Sequence, residues 1–288
     1  MRIIYLAITF LFIMSSITSV SQTADLKGCG LKCDTISKVV LDNSKIRVYY
    51  LLNYLPNPAK PSSMQEAQTI LQIGDKMNRF TDYNSFRSDS INDVSVKQKL
   101  PLGSYMMSMM GLNRKVNFHD NIIIDKIEEK VIYQRGVLLD TYEYEEDMPK
   151  LDWKILKGDT TFFSYKCNKA MTRYRGRTYI AWYASEINLP FGPYVFGGLP
   201  GLIFQVQDIS NHYSFTLNGL RQTQKRDIIY KYNKKKIIRT KRDKVRKIYK
   251  NYCADPIKAI MNSGRTITIS DKDKAGVKPK AYNPIELN

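Results

Sequence analysis

The hydrophobic positions from residue 116 onward fall in short runs, separated by turn-forming Gly, Asp or Asn residues. Short runs rich in β-branched and aromatic side chains are typical of β-strands. Most of the gaps between them suit hairpin turns and are too short for helical crossovers, so the pattern predicts an antiparallel sheet. The predicted strands are residues 121–125, 130–134, 138–144, 152–156, 160–165, 171–174, 177–184, 202–206 and 212–220.

The chain before residue 116 is less regular. Residues 45–53, 69–74 and 76–82 are predicted strands, and Gly74-Asp75 forms the turn between the last two. Residues 83–96 are polar with spaced apolar positions, which is typical of a short helix or an irregular lid.

A helical pattern comes late in the chain. Thr240 and Asp243 match a capping box, and apolar residues follow at helical spacing from Val245 to Tyr252. A second helix is predicted from Asp255-Pro256 to Gly264, followed by a strand at residues 265–270. The fold class is therefore mainly β, a β-rich α+β fold with a curved antiparallel sheet and short C-terminal helices.

Four segments are expected. Residues 1–21 have a positive start, an apolar run from Ile3 to Met14 and a small-residue cleavage pattern, so they predict a cleaved signal peptide. Residues 22–43 form a leader, residues 44–270 a single β-rich domain and residues 271–288 a C-terminal tail. The protein is expected to be exported, with no transmembrane span after signal removal, and to be periplasmic, outer-membrane-associated or secreted.

The cysteines all lie in the exported part. An even number in an oxidising compartment favours disulfides, with three pairings open. The candidates are Cys29, Cys33, Cys167 and Cys253.

The formal charge of +18 is concentrated late in the chain. Six basic residues cover the polar side of the predicted helix: Lys241, Arg242, Lys244, Arg246, Lys247 and Lys250. They form a solvated face or a contact for an anionic partner, such as lipid head groups, an acidic envelope polymer or an envelope protein. Nucleic acid is not expected as a partner of an exported protein.

The chain lacks the common catalytic motifs, and no cofactor or metal site is predicted. A hidden hydrolase site is one alternative, built on His212 with Asp208 and Ser185 or on a reactive Cys167. Copper handling is another, through a methionine cluster. This cluster contains Met106, Met107, Met109 and Met110.

Residues 191–206 form the most distinctive stretch, rich in Gly and Pro within an apolar run. Pro200-Gly201 has the composition of the centre of a type II turn, in which Gly201 takes a positive φ. No side chain here is a nucleophile, an acid or a metal ligand, so the stretch indicates architecture. Its main positions are Gly192, Pro193, Gly198, Leu199, Pro200, Gly201, Leu202 and Ile203.

The hexapeptide from Gly198 to Ile203 is the signature of the GLPGLI family of exported Bacteroidota proteins, which the sequence resembles. Further matching elements precede it: Cys167 to Ala170, Gly176-Arg177, Ala181 to Tyr183, Glu186-Ile187 and Phe191 to Pro193. Residues 282–287 also resemble family C-termini. The resemblance covers about residues 45–288 and implies an exported protein without assigned catalytic residues. By analogy of fold alone, the element order is similar to periplasmic lipoprotein carriers.

These features favour a non-catalytic envelope protein that binds a hydrophobic or amphiphilic ligand, or an envelope partner.

Overall fold

The computed structural model describes residues 35–138, 140–233, 236–263 and 276–288. Within these ranges the chain forms twelve strands, four α-helices and one 3-10 turn. The predicted signal peptide, Cys29, Cys33 and the predicted strand 265–270 lie outside the described residues.

The elements are given in chain order. They are β1 (Lys38–Tyr54), a 3-10 turn (Pro61–Ser63), β2 (Gln65–Gly74), β3 (Met77–Asp82), α1 (Tyr83–Gln98), α2 (Leu102–Asn113), β4 (Asp120–Asp125), β5 (Lys130–Val137), β6 (Asp140–Asp147), β7 (Lys154–Phe162), β8 (Tyr165–Tyr174), β9 (Arg177–Ala184), β10 (Leu202–Asp208), β11 (Tyr213–Tyr232), β12 (Ile237–Arg239), α3 (Arg242–Ala254) and α4 (Pro256–Met261).

The described strands form one sheet in the order β12-β6-β5-β4-β3-β2-β1-β11-β10-β9-β8-β7. Every pairing is antiparallel except that of β12 with β6, which is parallel. The predicted mainly β class, with an open and mostly antiparallel sheet and C-terminal helices, is confirmed. The analogy with lipoprotein carriers stays a prediction.

Several strands are longer than predicted. β1 begins at Lys38, inside the predicted leader, because it pairs with β11 as far as Tyr232. The predicted strands 152–156 and 160–165 are largely one strand, β7, with a register shift between Leu156 and Asp159. Gly158 has a φ of 115° at this irregularity, which explains why the sequence resembles a turn there.

The main hydrophobic core covers one face of the sheet. Along β1, Val48, Tyr50 and Leu52 alternate into this core and are at most 1% exposed. The alternate residues of β1 point to the other face, where Arg47 stacks on the ring of Phe86 in α1. Helix α1 therefore packs on the face opposite the main core.

Residues 185–201 connect β9 to β10 and close the core. Tyr194, Phe196 and Leu199 are at most 3% exposed, and the Phe196 ring lies 4.7 Å from that of Tyr179. The Tyr50 hydroxyl donates to the carbonyl oxygen of Ile203 at 2.8 Å.

The prediction for this turn is correct for the sign of the Gly201 φ angle. It is wrong for the hydrogen bond that would close a type II turn. Gly201 has a φ of 151°, as a positive φ was expected, but its N–H donates to the carbonyl of Leu199. The Leu202 N–H donates to Ile187 rather than closing a type II turn. Leu199, Leu202 and Ile203 of this segment are part of the main core.

Candidate functional site

Helices α1 and α2 form a hairpin whose two ends are tied to the sheet by one carboxylate. Asp82 ends β3 and caps α1, because its Oδ1 accepts from the N–H groups of Asn84 and Ser85 at 2.7 and 3.3 Å. Its Oδ2 accepts from the N–H groups of Asn117 and Phe118, both at 3.1 Å, just after α2. Burial raises the pKa of Asp82, although these four N–H groups oppose the shift. The Asp82 side chain thus fixes where the hairpin leaves the sheet and where it returns.

A buried polar cluster holds α1 on the sheet. Asp89 of α1 accepts from the hydroxyls of Tyr230 and Tyr232 at 2.5 and 2.6 Å. Arg79 of β3 is fully buried, with its guanidinium 3.9 Å from the centre of the Tyr230 ring and 3.7 Å from Asp89 Oδ2. Its Nε donates to Asn121 at 2.6 Å. Burial raises the pKa of both tyrosines, so their hydroxyls stay protonated and can donate at neutral pH.

An apolar groove opens between α1 and α2 and has a volume of about 290 Å³. Val94 is 49% exposed and Leu100 is 36% exposed at its rim. The lining residues are Ser90, Ile91, Val94, Ser95, Leu100, Tyr105 and Ser108.

Helix α2 has no charged residue from Leu102 to Asn113. A helix that is apolar on all sides is normally buried. Here Met107 is 79% exposed, and the other three methionines of the cluster are only partly buried. The cluster therefore forms a surface. No group of three or more His, Cys, Asp or Glu residues suited to a metal ion occurs in the described part of the chain.

A second, polar cavity of about 200 Å³ lies at the start of α1, beside Ser85, Asn121 and Gln134. Its amide groups are already used. Gln134 Oε1 accepts from Asn121 and from the N–H of Tyr232, and its Nε2 donates to Glu143 and to the carbonyl of Tyr232. Both polar atoms of the Gln134 amide are therefore engaged within the protein.

The hydrolase alternative is not assembled in the structure. Asp208 and His212 both contact Arg177 Nη1, at 3.1 and 3.3 Å. Ser185 follows the opposite end of β9, where its hydroxyl accepts from Asn168 at 3.1 Å. Ser185 therefore lies apart from Asp208 and His212, and the candidate triad does not form.

The surroundings of Cys167 disfavour its thiolate form. Cys167 is fully buried, and this burial raises its pKa to about 11. Cys253 is also buried, and both cysteines are free. Of the open pairings, the one joining Cys167 to Cys253 is therefore wrong, whereas those with Cys29 or Cys33 involve residues outside the described ranges.

The six basic residues of the late helix do not form one surface. Arg242 is 7% exposed and binds Glu286, and Arg246 donates to the carbonyl of Glu286. Lys241, Lys244, Lys247 and Lys250 are exposed and remain as the candidate anionic contact. The predicted cap is also wrong, because α3 begins at Arg242 with Lys241 at the N-cap and no side-chain capping bond.

Comparisons with known proteins find similarity to solved structures only. No protein-family model matches the chain, and no curated protein matches it. Two solved structures of PNGF-II, in the P21 and C2 space groups, are similar to 71% of this chain, with TM-scores of 0.44 and 0.46. Their sequence identities are 11% and 13%, and the match spans 32% of the PNGF-II chain, about a third of its length.

The sequence interpretation missed Arg79, Asp89 and Glu286 as organising residues. Asp82 before Tyr-Asn-Ser is an N-cap pattern that marks where α1 begins, but it does not indicate that Arg79 and Asp89 lie in one buried cluster. Nothing local distinguishes Glu286 from an exposed glutamate.

Proposed function

We propose that the protein is an exported, non-catalytic binding protein that takes an anionic amphiphile at the α1–α2 hairpin. The observations that support it are an apolar groove lined by Ile91, Val94 and Leu100, and an uncharged, methionine-rich helix α2 whose Met107 is 79% exposed. Methionine side chains adapt to ligands of varied shape and are common at such binding surfaces. Export is proposed from the N-terminal pattern and the GLPGLI resemblance.

The groove has the size for part of an acyl chain. An apolar cavity of ~150 Å³ holds benzene, and the groove measures about 290 Å³. Each methylene that it takes from water contributes about 0.8 kcal/mol. The apolar part of the ligand lies between Val94 and Leu100 in this proposal.

Charge selects the head group. Lys97 and Lys99 are exposed at the turn between the helices, directly before Leu100 of the groove. The only acidic side chains of α1 are Asp89, which is buried in the polar cluster, and Asp93, which pairs with Lys38 at 2.8 Å. An anionic head group next to the groove therefore meets exposed cations.

No described helix is long and apolar enough to cross a membrane.

The test is calorimetric titration of the chain without residues 1–21 with lysophosphatidylglycerol or lysophosphatidylcholine, both below their micelle concentrations. We expect the anionic lipid to bind more tightly, with an affinity that falls as salt is raised. Val94→Asp places a carboxylate in the groove and should weaken binding at least ~10-fold.

Ile127→Asp is the matched control, because Ile127 is 66% exposed in the turn between β4 and β5, outside the hairpin. It should leave binding unchanged. If Val94→Asp and Ile127→Asp bind lipid alike, the groove is not the site. Absence of binding by the unaltered chain removes the proposed function.

A further inference from the structure

Residues 282–288, at the end of the last described range, are bound through their backbone by side chains from other parts of the fold. The segment belongs to no strand, and four consecutive carbonyls from residues 283 to 286 accept hydrogen bonds from side chains. The donors, in order, are Tyr213 at 2.7 Å, Arg177 at 2.7 Å, Arg177 with Tyr179 at 3.1 and 3.0 Å, and Arg246 at 3.3 Å.

The side chains of the segment are recognised individually. Glu286 is 6% exposed and accepts from Tyr194 at 2.6 Å, from Tyr174 at 3.1 Å and from Arg242 Nε at 2.9 Å. Ile285 is 9% exposed and packs in the main core. Leu287, by contrast, is 48% exposed. Recognition therefore centres on an isoleucine followed by a carboxylate.

The residues that hold the segment come from separate parts of the fold. Arg177 and Tyr179 are on β9, Tyr194 is in the connection before β10, and Arg242 and Arg246 are on α3. We name the groove that they form the strap groove.

The strap groove offers charged donors to its occupant. With the segment in place, Arg177 and Arg242 are 5% and 7% exposed, and much of their hydrogen bonding goes to it. Without the segment these guanidinium groups face water and can bind the same acceptors on another peptide. The Arg177–Asp208 ion pair at 3.1 Å remains without the segment and keeps one donor in place.

We propose that the strap groove is a peptide-binding site for extended segments with a Pro-Ile-Glu pattern, and that residues 282–288 are its resident ligand. The same segment on another polypeptide can make the same contacts, because none of them depends on the covalent connection. Attachment gives the resident segment an effective concentration of about mM order. An external peptide therefore binds only when the resident segment is absent or outcompeted.

The first experiment uses a chain that ends at residue 275 and a fluorescent synthetic peptide of residues 276–288. We expect the shortened chain to bind the peptide, measured by anisotropy, while the intact chain shows no binding below about mM peptide. A peptide with Glu286→Gln should bind at least ~30-fold more weakly, since it removes the charged partner of Arg242. A peptide with Leu287→Ala is the matched control and should bind within about 2-fold of the original.

A shortened chain that folds, by circular dichroism, but binds no peptide overturns the proposal. So does equal binding of the Glu286→Gln and original peptides. If the shortened chain does not fold, an intact chain with a protease site placed between residues 263 and 276 decides the matter. After cleavage, displacement of the released fragment by excess labelled peptide supports the proposal. Retention of the fragment against mM peptide, or unfolding on its departure, overturns it.

Discussion

Gly201 shows how one residue in the distinctive stretch constrains the fold. Its φ is 151°, and a Cβ atom there would lie 2.2 Å from the carbonyl oxygen of Ala184. Both the backbone conformation and the contact with the end of β9 exclude a side chain. We predict that Gly201→Ala lowers the free energy of unfolding by about 1–3 kcal/mol through backbone strain, and by more through the contact with Ala184.

Urea unfolding measures this change as a shift in the midpoint. Gly198→Ala is the comparison variant. Gly198 also has a positive φ, 85°, but a Cβ atom there would lie in open space. Gly198→Ala should therefore cost less than Gly201→Ala. Equal losses in the two variants would show that the close approach to Ala184 has no effect.

At the residue scale, the sequence predicted conformation better than it predicted partners. The positive φ of Gly201 was predicted from its place directly after Pro200 in a turn-like sequence. The inward direction of Arg242 and Arg246 could not be predicted, because it depends on Glu286, more than thirty residues away. A helical pattern shows which side chains share a face but not which charge lies opposite.

At the scale of elements, the α1–α2 hairpin is the part that sequence patterns describe least well. The buried side of α1 is mostly polar, so its periodicity resembles that of a solvated or irregular segment. This side is buried because its partners on the sheet, Arg79 and Tyr230, are polar too. The buried residues of α1 are Asn84, Phe86, Ser88, Asp89, Asn92 and Ser95.

Asp82 provides the test of how this element is attached. Asp82→Asn keeps an oxygen that can cap α1, but its amide group then faces the N–H groups of Asn117 and Phe118. Because the buried N–H of Phe118 and the part-buried N–H of Asn117 lose their acceptor, we predict a loss of about 1–3 kcal/mol in stability. Hydrogen exchange measured by mass spectrometry should become faster in residues 83–118 and stay unchanged in β8 and β9.

Asp93→Asn is the control on the same helix. Asp93 is 47% exposed in its ion pair with Lys38, and Asp93→Asn keeps an oxygen that can accept from the Lys38 ammonium, so it should cost less stability than Asp82→Asn. If Asp93→Asn accelerates exchange in the hairpin as much as Asp82→Asn does, then general weakening of α1, and not loss of the tie, is the cause.

At the scale of the whole molecule, the antiparallel hairpins of the sheet follow from local patterns, but the pairing of distant strands does not. Short alternating runs predicted the antiparallel order of neighbouring strands from β7 to β10. The pairing of β1 with β11 and of β12 with β6 joins segments far apart in sequence. The docking of residues 282–288 likewise depends on donors from several elements, so no single stretch of sequence carries its signal.

The many buried tyrosines make the stability of the whole molecule sensitive to alkali. Burial raises the pKa of Tyr50, Tyr133 and Tyr194 well above the ordinary value, and raises that of Tyr249 to about 12. In the unfolded chain these phenols lose their protons near pH 10. The folded chain then binds more protons than the unfolded one, so stability is fully present below pH 10 and falls as pH rises through 10 to 12.

Each such tyrosine should contribute a slope of about 1.4 kcal/mol per pH unit. Urea midpoints at pH 8, 10 and 11 measure the fall, and absorbance at 295 nm reports phenol ionisation. Tyr50→Phe separates this effect from general destabilisation. It loses the bond to Ile203 and so is less stable at pH 8, yet its pH slope should be shallower by the share of one phenol. If the tyrosines ionise near pH 10 while the circular dichroism spectrum stays native, burial does not raise the pKa of their phenols, and the prediction is wrong.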